Sequence, residues 1–595
     1  MKKLLALVLA MLMLVPVMLT GCGEELEKGA EIQMFLSTVP TTLDPSASYT
    51  TTDQVRIMGL LYEGLFAIDN KGKLEKALCK DYEYEYDERT GYLDLFITLE
   101  DSRWSDGNMV TADDFRFAWK RILLPEKNNA NAALLYPVLN AKKVKEGLCS
   151  EDDLGIYAVD NKTIQIRFEK EFANEKLFND DATKKQVEYF KRRLASPALV
   201  PLRQDVVDDN TKEWCSPNNT SYVTNGPFKL KSWNNGELTF ERSVNYRCVG
   251  DSDANANNKI VKPYKLITLY TEGTTADSHF ARLDKKECFY INLNSASSEN
   301  IKKYSEDITS ETLLSTCCIY LDSTESGDLF KDARVRKALS MVLDRRAMAY
   351  DTLSTPATGL IPAGVEDVSE DKDFRKEGGT LISATPDFDE ANKLLAEAGI
   401  NPKDHKIVID FSGDTATEAY IAQTVSDAWS ELGFKVQVSD KNQKFINAKE
   451  NGEYALNQTH ESGGLNTAVI VNLQSQTPDA YSMLTTVSSE FGGRFIDVTV
   501  EDVEYSAHVT GFDDKTYNNL VSQFVYAKSD EYRVALMHKA EEYLIDQMPI
   551  IPVVFNRANY VSRDLSKNDV DKFGRLDFIE LEQKNYKDYI EEEEK

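Results

Sequence analysis

The chain has 595 residues and a formal net charge of −29. That length is too great for one hydrophobic core and suits two or three lobes. A surface this acidic argues against nucleic acid and against docking on anionic lipid, and it is compatible with cationic or zwitterionic small ligands, although net charge says little about a local site.

Taken in chain order, the first element is an export segment. Lys2 and Lys3 form a positive n-region, and Leu4 to Leu19 is an apolar run broken only by Pro16. It is short and has no charged far flank, as a signal h-region does and a stable membrane span does not. It ends in Leu19-Thr20-Gly21-Cys22, which resembles the bacterial lipobox. There a diacylglyceryl group joins the cysteine thiol before cleavage, and two acyl chains at ~0.8 kcal/mol per buried CH₂ make a stable anchor. Residues 1–21 are therefore expected to be a signal peptide, and 22–31 a lipidated Cys22 with a flexible, charged tether. Loss of Lys2 and Lys3 takes the charge to −31. No later window is apolar enough to span a bilayer.

Glu31 to Ser37 alternates as a first strand, and Asp53 to Leu65 carries a helical apolar face. Tyr92–Leu99 reads as a strand. Thr111 with Asp114 three residues on is a helix start, and that helix runs through Trp119 and Ile122. Strands are predicted at Thr163–Phe168, Phe228–Trp233, Leu266–Tyr270, Ile407–Phe411 and Lys435–Val438. Helices are predicted at Val335–Tyr350, Glu390–Ala398, Thr417–Leu432 and Tyr532–Gln547, with Gly399 and Gly433 just past two of them, where a terminating glycine belongs. Gly250–Lys259 reads as an exposed loop, and Glu591–Glu594 as a solvated end. Strands and helices interleave, so the class is α/β.

Eight cysteines are present: Cys22, Cys79, Cys149, Cys215, Cys248, Cys288, Cys317 and Cys318. Lipidation of Cys22 leaves seven. None has C-x-x-C spacing, and export permits disulfides without fixing their pairing. The five histidines form no local metal pattern. Gly-x-Ser-x-Gly, His-Glu-x-x-His and a phosphate-binding glycine loop are all missing from the sequence, so no enzyme, cofactor or metal is implied.

Several segments, in order, resemble the oligopeptide-binding branch of the bacterial extracellular solute-binding proteins, family 5, which serve ABC transporters. They are Thr42-Leu43-Asp44-Pro45 with Leu61-Tyr62-Glu63-Gly64-Leu65; Trp104-Ser105-Asp106-Gly107 with Val110-Thr111-Ala112-Asp113-Asp114-Phe115; and Thr224-Asn225-Gly226-Pro227-Phe228. Asp332-Ala333-Arg334-Val335-Arg336-Lys337-Ala338-Leu339, Ala357-Thr358-Gly359-Leu360-Ile361-Pro362 and Pro549-Ile550-Ile551-Pro552 follow. Most of these residues read as structural. The tryptophans suit the core, and Arg334 and Arg336 are expected to hold carboxylates between elements.

The resemblance implies a three-domain, periplasmic-binding-protein-like fold (type II, cluster C), with two lobes closing over solute about a hinge. Domain I would comprise 32–75, 216–298 and 556–595, domain II 76–215, and domain III 299–555. The chain would act as a monomeric, membrane-anchored, extracytoplasmic receptor that captures oligopeptides and delivers them to an ABC permease. A non-peptide solute such as an oligosaccharide or metal chelate, or a signalling peptide, is the alternative in the same fold. A surface enzyme and a structural lipoprotein are readings from other classes.

An extended peptide offers alternating backbone donors and acceptors to a receptor strand, whereas its ammonium needs an anion once enclosed. In the family that anion is an aspartate in a stretch like Trp-x-x-Asp-Tyr-x-(Asp/Glu)-Pro. The corresponding stretch here, Leu473-Gln474-Ser475-Gln476-Thr477-Pro478-Asp479-Ala480, places Gln476 at the aspartate. Glutamine accepts a hydrogen bond but brings no countercharge. Three readings stay open: Asp479 or Glu461 takes the role, the ammonium is held otherwise, or the correspondence shifts by a few residues. Other ligand-binding candidates implied by position are Ser48, Tyr49, Thr50, Thr51, Asn225, Gly226, Cys318, Tyr320 and Gln474.

Overall fold

The computed structural model describes residues 29–585, except 37–41, 48–51, 70–71, 126, 128, 173–180, 210–213, 216–221, 235, 248–259, 271–275, 295, 322–327, 370, 412–415, 439–465, 493–494, 501–502, 509–511 and 528. The signal segment, Cys22, Ser48 to Thr51, Glu461 and the Gly250–Lys259 loop lie outside the described residues.

One 11-stranded mixed sheet forms the spine. In spatial order it runs Lys435–Val438, Lys406–Asp410, Asn466–Gln474, Ile308–Leu321, Ile550–Ser562, Tyr290–Asn292, Glu31–Phe35, Lys265–Leu269, Glu237–Arg242 and Phe228–Asn234, with Thr355–Pro356 added alongside Ile550–Ser562. The antiparallel pair Ile308–Leu321 and Ile550–Ser562 joins the two halves of this sheet. Neither long strand is evident from alternation, because residues 313–321 and 550–555 are buried on both faces. Pro552, which lacks a ladder donor, sits at a register shift between Cys317 and Cys318, where such a residue is tolerated.

A second, four-stranded antiparallel sheet is ordered Cys79–Asp87, Tyr92–Leu99, Thr163–Arg167, Ile156–Asp160. The helix Ala112–Leu123 packs on it. Asp114 Oδ2 accepts from Thr111 N at 2.8 Å and from Trp104 Nε1 at 3.2 Å. The Trp-Ser-Asp-Gly turn and the helix start are thus a single hydrogen-bonded unit, which accounts for both motifs without a ligand. Trp104, Trp119 and Trp429 are fully buried, as expected.

The other elements fall near their predicted places. The stretch Val335–Tyr350 does not form one helix: it divides into Ala333–Met341 and Arg345–Asp351. Asp344 restarts the helix by accepting from Ala347 N at 3.0 Å. The buried Arg345 fixes the break by donating to the carbonyls of Ser340 and Pro552 at 3.0 and 2.8 Å. Arg334 pairs with Asp332 at 2.6 Å, but that carboxylate caps its own helix, and its bond to another element is to the Glu397 carbonyl at 2.7 Å, so it does not hold a carboxylate between elements. Arg336 likewise donates to the carbonyls of Phe330 at 2.6 Å and Gln547 at 2.8 Å, satisfying the end of helix Asp530–Gln547. Among the described residues, no helix is long and apolar enough to cross a membrane.

Candidate functional site

The site begins at an irregularity in the long strand. Between Thr312 and Thr316 the register against Ile550–Ser562 shifts, and the bulge frees the backbone of Leu314 from the ladder. Its N–H donates to Lys572 O at 2.7 Å, and its carbonyl accepts from Ser475 N at 2.8 Å. One bulged residue therefore positions both the C-terminal segment and the loop that follows strand Asn466–Gln474.

The C-terminal segment is a tight turn. Asp571 Oδ1 accepts from Phe573 N at 2.9 Å and Arg575 N at 2.8 Å, and Gly574 takes a positive φ of 82° that glycine adopts without strain. The turn is tied to one wall by Arg575 Nη2 donating to Ile68 O at 2.8 Å and by Arg56 donating to Gly574 O. Lys572 Nζ ties it to the other wall through Gly364 O at 3.2 Å. Phe573 is carried at its tip.

Two spaces flank Phe573. The first is narrow, with about 10 Å³ of room for the centre of a water-sized guest. Val55, Ile68 and Arg575 line one side, Arg192, Ala195 and Pro197 a second, and Ser475 with Gln476 a third. The other space, equally narrow at about 10 Å³ by the same measure, lies between Asp69, Gly72 and Lys572 on one side and Leu314, Gly364, Glu366 and Pro478 on the other. Phe573 borders both, so they form one cleft with a ring as partition.

A seam of charge and aromatic contacts closes the cleft along helix Asp181–Leu194. Arg192 Nη2 reaches both oxygens of Glu366 at 2.6 and 2.5 Å and also donates to Gly72 O at 3.0 Å. Arg193 lies 3.7 Å from the Tyr481 ring centroid, and Arg533 lies 3.6 Å from that of Tyr189. Gln186 donates to Ala527 O at 2.6 Å, and Tyr481 O–H to Ala133 O at 2.9 Å. Burial opposes the charge of Asp479, but the adjacent Arg533 and Arg193 outweigh it and hold the carboxyl below the ordinary range. Burial lowers the pKa of Arg193, which is only 4% exposed. It also pushes the Tyr189 phenol up to about 12.

The predicted ligand residues fall in different places. Gln476 faces the first space. Its Oε1 accepts from Ser196 Oγ and its Nε2 donates to Gln474 O, each at 3.4 Å and so long for a hydrogen bond. Gln474 ends its strand, with Nε2 on Leu314 O at 3.4 Å and Oε1 buried without a partner among the described residues. Asp479 lines neither space. It is buried against Arg533, and its Oδ1 caps Tyr481 N at 3.2 Å. Asn225 lies behind the wall, its amide exchanging hydrogen bonds with Glu63 N and O at 3.1 and 2.9 Å. A side chain at Gly226 would stand 2.5 Å from Leu61 C, so that glycine serves a close backbone approach. Cys318 and Tyr320 are buried mid-strand, opposite Val471 and Val469, and line neither space.

Sequence reasoning passed over Arg192, Glu366, Phe573 and Arg575. The run Lys191-Arg192-Arg193 in so acidic a chain was a signal for the first of these. The others gather only through long-range contacts.

Residues 81–495 match the family described as bacterial extracellular solute-binding proteins, family 5. The chain belongs to this family. Among curated proteins it is similar to the dipeptide-binding protein DppE of Bacillus subtilis, 24% identical over 89% of this chain and 88% of that protein. It is equally similar to the oligopeptide-binding protein OppA of the same organism, 24% identical over 91% of this chain and 90% of that one. Among solved structures, Listeria monocytogenes OppA bound to peptide superposes with a TM-score of 0.73 at 20% identity, covering 93% of this chain and 99% of that one. The pheromone receptor PrgZ superposes with a TM-score of 0.74 at 18% identity, covering 94% and 100%. The shared fold is the α/β two-lobe architecture of binding proteins.

Proposed function

We propose that this chain is a peptide receptor of an ABC importer, holding its ligand in the cleft on either side of Phe573. The observation that carries this reading is that the cleft is assembled from three separate parts of the chain. Val55, Ile68, Asp69, Gly72 and the 572–575 turn come from 32–75 and 556–595; Arg192, Ala195 and Pro197 come from 76–215; Leu314, Glu366 and Gln476 come from 299–555. A site split this way is made and unmade by hinge motion, with the hinge near 298 and 556. The match to relatives named for dipeptides and oligopeptides supports peptide as the solute, and Ser48 to Thr51 remain candidate ligand residues. Solute capture by such a receptor is binding and release, without catalysis, and the protein works as a monomer.

The lipobox-like Leu19-Thr20-Gly21-Cys22 supports a lipid anchor on Cys22 at the outer face of the cell membrane, keeping the receptor near its permease. Cys22→Ser would then move the protein from the membrane fraction to the medium; retention in the membrane would refute the anchor. The peptide reading is tested by native mass spectrometry of the purified protein, together with a thermal-shift screen of di- to hexapeptides. Carried-over peptide or a raised midpoint is expected, and neither appearing would overturn it. A 24%-identical relative in Escherichia coli is named a probable deoxycholate-binding periplasmic protein, so deoxycholate belongs in the same screen as the non-peptide alternative.

A further inference from the structure

The first space has a chemical polarity. Its polar lining is Ser475, Gln476, Arg192 and Arg575, with no carboxylate among the lining residues. The two acids of the cleft, Asp69 and Glu366, line the space beyond Phe573. Arg575 is held rigidly, Nε on Asp571 at 2.7 Å and Nη2 on Ile68 O at 2.8 Å, while its Nη1 makes no hydrogen bond to the described residues. Gln476 is equally available, since both of its side-chain contacts are stretched to 3.4 Å. The Ser475 hydroxyl is already engaged with Thr477 O at 2.7 Å.

We infer that the space between Gln476, Arg192 and Arg575 receives a carboxylate of the bound peptide rather than its ammonium. This rests on the peptide reading above and adds an orientation to it. An ammonium enclosed here would lose its hydration and find no uncommitted anion, since Glu366 is already held by Arg192 and Asp571 by Arg575. A carboxylate would instead take a charge-assisted bond from Arg575 Nη1 and a second from the Gln476 amide, whose long contacts are easily exchanged. The fixed planar fork of arginine matches that geometry. The carboxylate comes either from the peptide's C-terminus or from an acidic side chain.

Four pools of three- to six-residue peptides separate these cases, titrated against the purified full chain with the thermal midpoint as readout. The pools are free at both termini, N-acetylated, and C-amidated, all without Asp and Glu, and a C-amidated pool containing Glu. Acetylation should change the half-saturating concentration less than threefold, and amidation should raise it at least tenfold. Recovery by the Glu pool identifies a side chain as a competent source, and no recovery identifies the C-terminus. Gln476→Glu, which adds an anion to the space, should abolish the preference for a free C-terminus; Arg575→Gln should do the same if its turn survives. A larger loss on acetylation than on amidation overturns the inference, as does equal binding of all pools. If no pool binds, the peptide reading itself has failed and the inference falls with it.

Discussion

Removing Arg192 should open the cleft rather than unfold the protein. Its guanidinium and the Glu366 carboxylate are each about 10% exposed, and the arginine also satisfies Gly72 O across the cleft. Truncating one member of a buried pair costs about 3–5 kcal/mol, because the other charge is left uncompensated. At a cleft that cost can be relieved by parting the walls and rehydrating Glu366. Arg192→Met should therefore shift the balance toward the open form by at least 3 kcal/mol, about a hundredfold. Apparent affinity scales with the fraction of molecules able to close, so it should weaken by about the same factor. Small-angle scattering without peptide reads the opening directly, and calorimetric titration reads the affinity. Arg192→Met combined with Glu366→Gln should regain most of the closure, since neither charge is then stranded. Unchanged scattering for Arg192→Met, with affinity within twofold of the parent, would refute the reasoning.

Other parts of the molecule give sharper structural tests. Glu541 is fully buried, pairs with Arg375 and accepts from Leu360 N and Ile361 N at 2.9 Å each; Glu541→Gln should cost about 3–5 kcal/mol in urea unfolding. Gly226→Ala should destabilise by more than about 1 kcal/mol, because the added carbon would stand 2.5 Å from Leu61 C and 2.6 Å from Tyr62 N; a neutral result would show that this close approach relaxes freely. The Asp479 carboxyl is depressed by Arg533 and Arg193 despite its burial, so its contribution is fully present above the unfolded value of about 3.9 and is lost as the pH falls through the lower folded value. The stability gap between the parent and Asp479→Asn should accordingly be constant above about pH 5 and narrow below about pH 4. A gap that widens with acid would contradict the sign.

Much of the architecture was legible in the amino-acid order. Thr111 and Asp114 announced a helix start, Gly399 and Gly433 take the positive φ that ends a helix, and ordered short motifs named the family. These are local effects, in which one or two residues decide a turn or a cap, so they survive without knowledge of neighbours. The double-faced strands Ile308–Leu321 and Ile550–Ser562 were not visible, because a strand buried on both sides shows no alternation.

The cleft belongs to the tertiary structure. Gln476 was singled out from the sequence, but its surroundings were not. Asp479, three residues away, proves to be engaged by Arg533, while Arg192 and Arg575 arrive from positions nearly 400 residues apart. A charged side chain's role depends on which partner the fold brings within a few ångströms and whether water is excluded there. The sequence by itself determined the elements, the family and the place where its pattern departs from that family. Only the tertiary structure decided which charges line the cleft, because pairing and burial are set by contacts far apart in the chain.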